Sequence, residues 1–308
     1  MIELHRVPEF AYTDGFVDVN GIRLHYVDYG GLGEPLVALP GLIQSAHAFD
    51  PVASLLAPHM RVLALDFRGR GQSDWGPPER YRIDQYLRDL RGFLAALQIE
   101  RCSLIGTSLG GFVARLFATA HPERVTRLVL NDCAIGGTVA GVHKVSSRPA
   151  LAPADFADLD EVVAWFFSDR PGLARLDRFT QRTWASHYVT AGENGRLRFR
   201  CDPAVIRLAE SMAKQFAALP RTSVEAELAW EHAKRLTMPL LIVRGSLSEV
   251  IATETVNRLT EVLPNARCVE IAGVSHSPTL YEEEARAALA EFFQVPMEHS
   301  LEAHAHSA

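Results

Sequence analysis

Short apolar runs bounded by turn formers recur along the first half of the chain: Arg23 to Tyr29, Leu36 to Leu39, Val62 to Leu65, Cys102 to Ile105 and Leu128 to Leu130. Runs of this length suit buried strands. Between them lie amphipathic stretches such as Ile83 to Leu97, where Tyr86, Leu87, Leu90, Phe93, Leu94 and Leu97 return at helical spacing. The alternation predicts an α/β fold, a mostly parallel sheet flanked by helices, with functional residues on the connections at the strand ends. The pattern stops near Gly136 and returns at Pro239, where Leu240 to Val243 form another apolar run closed by Gly245. Within the intervening 137–236 the apolar positions are helically spaced, as in Val162 to Phe167 and Val205 to Phe216, with breaks at Pro171-Gly172 and Gly192 to Gly195. The expectation is a helical cap inserted into a core made of 1–136 and 237–295. Arg267 to Ile271 read as the last strand and Glu282 to Phe293 as the closing helix. The tail 296–308 carries His299, His304 and His306 among Glu, Ser and Ala, and reads as a disordered end, not a metal site.

Composition narrows the functional classes. A chain of 308 residues, 48% hydrophobic and 22% charged, can build one large core with an insertion. A net charge of -6 supplies no electropositive face for phosphate, so nucleic acid is not an expected partner. Met1 to Phe10 mixes charged and apolar residues without the apolar core of a secretory signal, and no stretch is long and apolar enough to span a membrane. A cytoplasmic location with no membrane partner is the expectation; oligomeric state is open. Cys102, Cys133, Cys201 and Cys268 lie far apart and in no metal-like pair, so they read as reduced, mostly core thiols.

The chemistry concentrates at Gly106-Thr107-Ser108-Leu109-Gly110. A serine hydroxyl is a weak nucleophile that needs a base within reach and donors for the oxyanion formed on attack. Ser108 stands between a predicted strand and an apolar helical stretch, and the flanking glycines leave room for the strained turn that lifts the hydroxyl. The Leu109 N–H, at the N-terminus of that helix, is one candidate oxyanion donor. The Leu42 N–H, in Pro40-Gly41-Leu42 after the strand Leu36 to Leu39, is the other.

With these motifs, and with Asp66-Phe67-Arg68-Gly69-Arg70-Gly71-Gln72-Ser73, His121-Pro122-Glu123-Arg124-Val125 and Gly273-Val274-Ser275-His276, the chain resembles the α/β-hydrolase family across nearly its whole length. The family more often has His-Gly where Pro40-Gly41 stands. His276, after the last strand, has the chain order that the resemblance implies for the base. His47, near the oxyanion loop, is a second histidine that could face the pocket. The orienting acid is divided. The usual family position, three residues beyond the glycine ending the preceding strand, holds Ser248, and Glu249 follows one place late. Other branches of the family carry the acid just after the strand that follows the nucleophile helix, which here is Asp132. Asp132 is the favoured acid, Glu249 the alternative, and Ser248 a residue that could hydrogen-bond the acid or the ring. The Asp66 to Asp74 run reads as a structural loop, with anion binding by Arg68 or Arg70 as the lesser alternative.

A serine at 108 argues against dehalogenation, for which the resemblance would require aspartate there. Acyl transfer to water fits best, without metal or organic cofactor. The expected partner is a small-molecule substrate, namely a small to medium, largely apolar carboxylic ester or lactone. An amide, or a vinylogous diketone cleaved at a C–C bond, stays open because one triad serves all of these. Trp165, Phe166, Phe167, Trp184, Tyr188 and Trp230 of the insertion could line a pocket, though aromatics at helical spacing more often pack as core. A ligand receptor built on a hydrolase scaffold, with little turnover, is the alternative of another class.

Overall fold

The computed structural model describes residues 12–297 except 134, 136–137, 193 and 210–229. Eight strands make the central sheet: β1 (Thr13–Val19), β2 (Ile22–Asp28), β3 (Pro35–Leu39), β4 (Arg61–Leu65), β5 (Cys102–Thr107), β6 (Val125–Asn131), β9 (Leu240–Gly245) and β10 (Ala266–Ile271). Their order is β1-β2-β4-β3-β5-β6-β9-β10. β1 and β2 run antiparallel to their neighbours, and every pair from β4 to β10 is parallel.

Parallel central strands are covered on both faces, which is why their sequences are unbroken apolar runs. Successive residues divide between two cores, as side chains must on a pleated strand. Val37, Leu39, Leu104, Leu128, Leu130, Leu240 and Ile242 face one core, with Leu90, Phe93 and Leu94 of α2 (Ile83–Ala96) and Val113, Ala114 and Phe117 of α3 (Leu109–Ala120). Leu36, Ala38, Ile105, Val129, Leu241 and Val243 face the other. There they meet Val52 and Leu56 of α1 (Asp50–Leu56) and Leu289, Phe292 and Phe293 of α8 (Glu283–Phe293). α7 (Thr253–Val262) adds Val256 and Leu259 to the first core.

Between β6 and β9 the chain leaves the sheet. It forms α4 (Val139–Ser147), α5 (Leu159–Phe167) and α6 (Arg178–Ser186), and then an antiparallel hairpin of β7 (Val189–Ala191) and β8 (Leu197–Phe199). The expectation of an all-helical insertion missed this hairpin, because its glycine-rich turn reads equally well as a helix break. Residues 203–209 are helical; the rest of the predicted helix Val205 to Phe216 lies outside the described residues, as does the tail from 298. The insertion has its own core of Phe156, Val162, Val163, Phe166, Leu173, Trp184, Tyr188, Val189, Leu197 and Cys201, joined by Ile43. Trp230 instead packs with Leu236, Met238 and Leu240 in the first core of the sheet.

Candidate active site

The C-terminal ends of the parallel strands β3, β5, β6, β9 and β10 deliver the site. Ser108 follows β5 and initiates α3 with φ 50° and ψ -110°, a left-handed backbone that is costly for a residue with a β-carbon. Close packing enforces it. A β-carbon at Gly106 would collide with the backbone of Gly110 and Gly111, and one at Gly110 with the Leu39 carbonyl, so strand and helix approach only because both positions are glycine. The Ser108 N–H donates to the Asn131 carbonyl at 3.0 Å, tying the turn to β6.

Ser108 Oγ lies 2.9 Å from His276 Nε2. His276 Nδ1 lies 2.6 Å from Asp132 Oδ2. Asp132 follows β6 in a left-handed conformation, φ 50°, and is fully buried. The Ser248 hydroxyl donates to Asp132 Oδ2 at 2.7 Å, and the Gly245 N–H reaches Oδ1 at 3.3 Å. A buried carboxylate so held can fix one imidazole tautomer, leaving the other ring nitrogen able to accept the serine proton. The His276 loop is itself anchored: the Asn131 side-chain amide donates to the Pro278 carbonyl and Ser275 Oγ to the Asp169 carbonyl, each at 3.0 Å.

Glu249 does not join this line. Its carboxylate pairs with Lys144, and its side chain is 59% exposed. The backbone carries Ser248 inward onto Asp132 and turns the next residue out to α4. His47 does not face Ser108 through any hydrogen bond either; it bonds Asp50 at 3.1 Å and packs edge-on against Tyr12. Arg68 and Arg70 are occupied. Arg68 makes a two-pronged pair with Asp89 at 2.6 and 2.8 Å, and Arg70 donates to the Leu42 and Arg68 carbonyls and the Tyr86 hydroxyl. The loop reading holds, and their donors serve the fold.

In the loop after β3, Gly41 donates to Gln44 Oε1 at 2.7 Å, and Gln44 Nε2 donates to the Tyr188 hydroxyl at 2.8 Å. Among the described residues the Leu42 N–H has no acceptor, and the Leu109 N–H, at the first position of α3, has none within its helix. Both amides belong to turns at the end of neighbouring strands, β3 and β5. Gln44 carried no signal in the sequence, since its partner lies 144 positions away in the insertion. Of the aromatics, Phe166, Trp184 and Tyr188 stack on one another with centroids 4.6 to 4.8 Å apart, which makes them packing residues of the insertion.

The mostly parallel sheet of this order agrees with the family model for the α/β hydrolase fold, which matches residues 34–283. The chain belongs to the α/β hydrolase fold family. Within that family it is 29% identical over 293 residues to a 3-hydroxybutyrate-oligomer hydrolase of Cupriavidus necator, covering 91% of this chain and 97% of that one. It is 26% identical over 273 residues to a 2-hydroxy-6-oxo-6-(2'-aminophenyl)hexa-2,4-dienoic acid hydrolase of Metapseudomonas resinovorans, covering 84% and 82%. A solved α/β hydrolase from Novosphingobium aromaticivorans superposes with a TM-score of 0.81 at 28% identity over 93% of this chain and 99% of that one. This α/β hydrolase is thus an enzyme of the hydrolase class. Among the described residues no helix is long and apolar enough to cross a membrane.

Proposed function

We propose that this α/β hydrolase is a serine hydrolase that cleaves a small to medium, largely apolar carboxylic ester or lactone through an acyl-enzyme. The observation that carries the reading is the unbroken line from Ser108 Oγ through His276 to buried Asp132, at 2.9 and 2.6 Å. Ser108 Oγ attacks the ester carbonyl carbon while His276 Nε2 takes the hydroxyl proton. The carbonyl electrons move onto oxygen, and the Leu42 and Leu109 N–H groups receive that oxyanion. Collapse expels the alcohol, which leaves with the proton from His276. Water, deprotonated by the same imidazole, then attacks the acyl-enzyme and frees the acid and Ser108. Asp132 holds the ring and stabilises the imidazolium at each stage.

Ester chemistry is supported by the similarity to a hydrolase named for 3-hydroxybutyrate oligomers, since such oligomers are linked by esters. A relative named for a dienoic acid with a keto group makes C–C cleavage the second reaction to assay. The test is turnover of p-nitrophenyl acetate, butyrate and hexanoate, a lactone and a vinylogous diketone by wild type and Ser108→Ala. Multiple turnovers on esters, reduced by about four orders of magnitude or more in the variant, are expected. Undiminished turnover in Ser108→Ala would remove the serine mechanism. Tight binding with no turnover in the wild type would favour a receptor.

A further inference from the structure

Among the described residues, the dipeptide His187-Tyr188 just after α6 makes polar contacts from the inserted segment to the oxyanion loop, beside the apolar packing of Leu42 and Ile43 on the insertion's core. Three polar contacts converge there on Gln44, Ser45 and Asp50 of the core. Gln44 Nε2 donates to the Tyr188 hydroxyl at 2.8 Å, Ser45 Oγ donates to the His187 carbonyl at 3.0 Å, and His187 Nε2 lies 3.4 Å from Asp50 Oδ2. The His47 and His187 rings lie beside each other at 6.2 Å. All of this is sequestered: Gln44, Ser45, His187 and Tyr188 are each less than a tenth exposed. The consequential member is Gln44. Its other end, Oε1, accepts the Gly41 N–H at 2.7 Å, so one side chain spans from the insertion to the peptide next to Leu42.

We infer that Gln44 and Tyr188 are positioning residues that set the oxyanion hole from the inserted segment, so that the Leu42 N–H is aimed correctly only while Tyr188 is seated. The inference rests on the serine-hydrolase reading of the site. An oxyanion donor contributes through pre-alignment, since a misdirected amide stabilises the tetrahedral oxygen poorly. The Leu42 peptide is clamped from two sides. Arg70 Nε holds the Leu42 carbonyl at 2.6 Å, and Gln44 holds the amide of the residue before it. Arg70 is fixed within the core by Tyr86 and the Arg68 carbonyl. The Gln44 clamp instead depends on a residue of the insertion. Without the Tyr188 hydroxyl, Gln44 Nε2 loses its acceptor in a buried site, and the amide is free to rotate away from Gly41. A substrate that shifts Tyr188 therefore alters the hole through this side chain.

A double-mutant cycle tests this, using Gln44→Ala, Tyr188→Phe, the pair together, and Ser108→Ala, with folding checked by circular dichroism. With a p-nitrophenyl ester, Gln44→Ala is expected to lower kcat about tenfold with KM within about twofold, because the loss falls on the transition state. Tyr188→Phe should lower kcat by a smaller factor and add nothing in the Gln44→Ala background. Gln44→Glu, which keeps the acceptor for Gly41, should recover part of the loss. Affinity for a boronic acid that forms a tetrahedral serine adduct should fall in step with kcat. Strictly multiplicative losses, or an unchanged kcat in both single variants while Ser108→Ala is inactive, would overturn the inference and leave the serine mechanism standing. Activity of Ser108→Ala equal to wild type would overturn the serine mechanism and this inference with it.

Discussion

Asp132 receives hydrogen bonds from three directions: the His276 ring at 2.6 Å, the Ser248 hydroxyl at 2.7 Å and the Gly245 amide at 3.3 Å. These donors fix its rotamer in a buried site, and each is satisfied only by a carboxylate that accepts from all sides. In Asp132→Asn the side-chain amide can turn its NH2 toward His276, which then presents the wrong tautomer to Ser108. The expected loss is about four orders of magnitude in kcat for ester hydrolysis. Glu249→Gln should stay within about twofold, because its carboxylate is engaged in an exposed, weak pair with Lys144. A large loss in Glu249→Gln with little in Asp132→Asn would reverse the assignment. At this scale the residues that could bear the chemistry were readable, since Ser108 and His276 sit in local motifs. The choice of acid was not, because two loops distant in sequence can aim a carboxylate at one imidazole.

At the scale of elements, the loop after β4 is locked to α2 by Arg68 and Asp89, both essentially buried. Gln85 and Asn20 each add a hydrogen bond to Asp89 at 3.0 Å. Removing one partner of such a pair strands a charge away from water. Asp89→Ala is expected to cost about 3–5 kcal/mol, read as a lowered urea midpoint with unchanged slope. A cost below about 1 kcal/mol would mean that Arg68 finds water or another acceptor. The long apolar strands and α2 were legible because burial on both faces, or on one helical stripe, leaves a plain periodicity. β1 was not. It is an edge strand with alternating exposed and half-buried residues, and Thr13-Asp14-Gly15 lacks the apolar run that marks the interior strands. The β7-β8 hairpin was hidden for another reason: three-residue strands are too short for period two to be told from period 3.6.

For the whole molecule, Asp50 is a largely buried charge at which His187 of the insertion meets the core. Burial alone would raise its pKa, but hydrogen bonds from His187 and His47 outweigh that and hold it well below the usual carboxylate range. A carboxylate with a lowered folded pKa contributes stability that is complete above its unfolded value, about 4, and lost as pH falls toward the folded value. The urea midpoint of the wild type should therefore exceed that of Asp50→Asn at about pH 5, and the gap should narrow by about pH 3. A gap that stays constant over that window would show that Asp50 acts through packing or neutral hydrogen bonds.

Local patterning was enough to establish the α/β class, the strand-turn-helix serine and the histidine after the last strand, because each depends on periodicity or on turn chemistry within a few residues. Tertiary structure alone decided which carboxylate meets His276, that Ser248 turns inward to that carboxylate, and that Gln44 reaches Tyr188 across 144 positions. Those contacts depend on where β6, β9 and the insertion bring their ends. Such convergence arises from packing the two cores, and no local stretch of the chain encodes it.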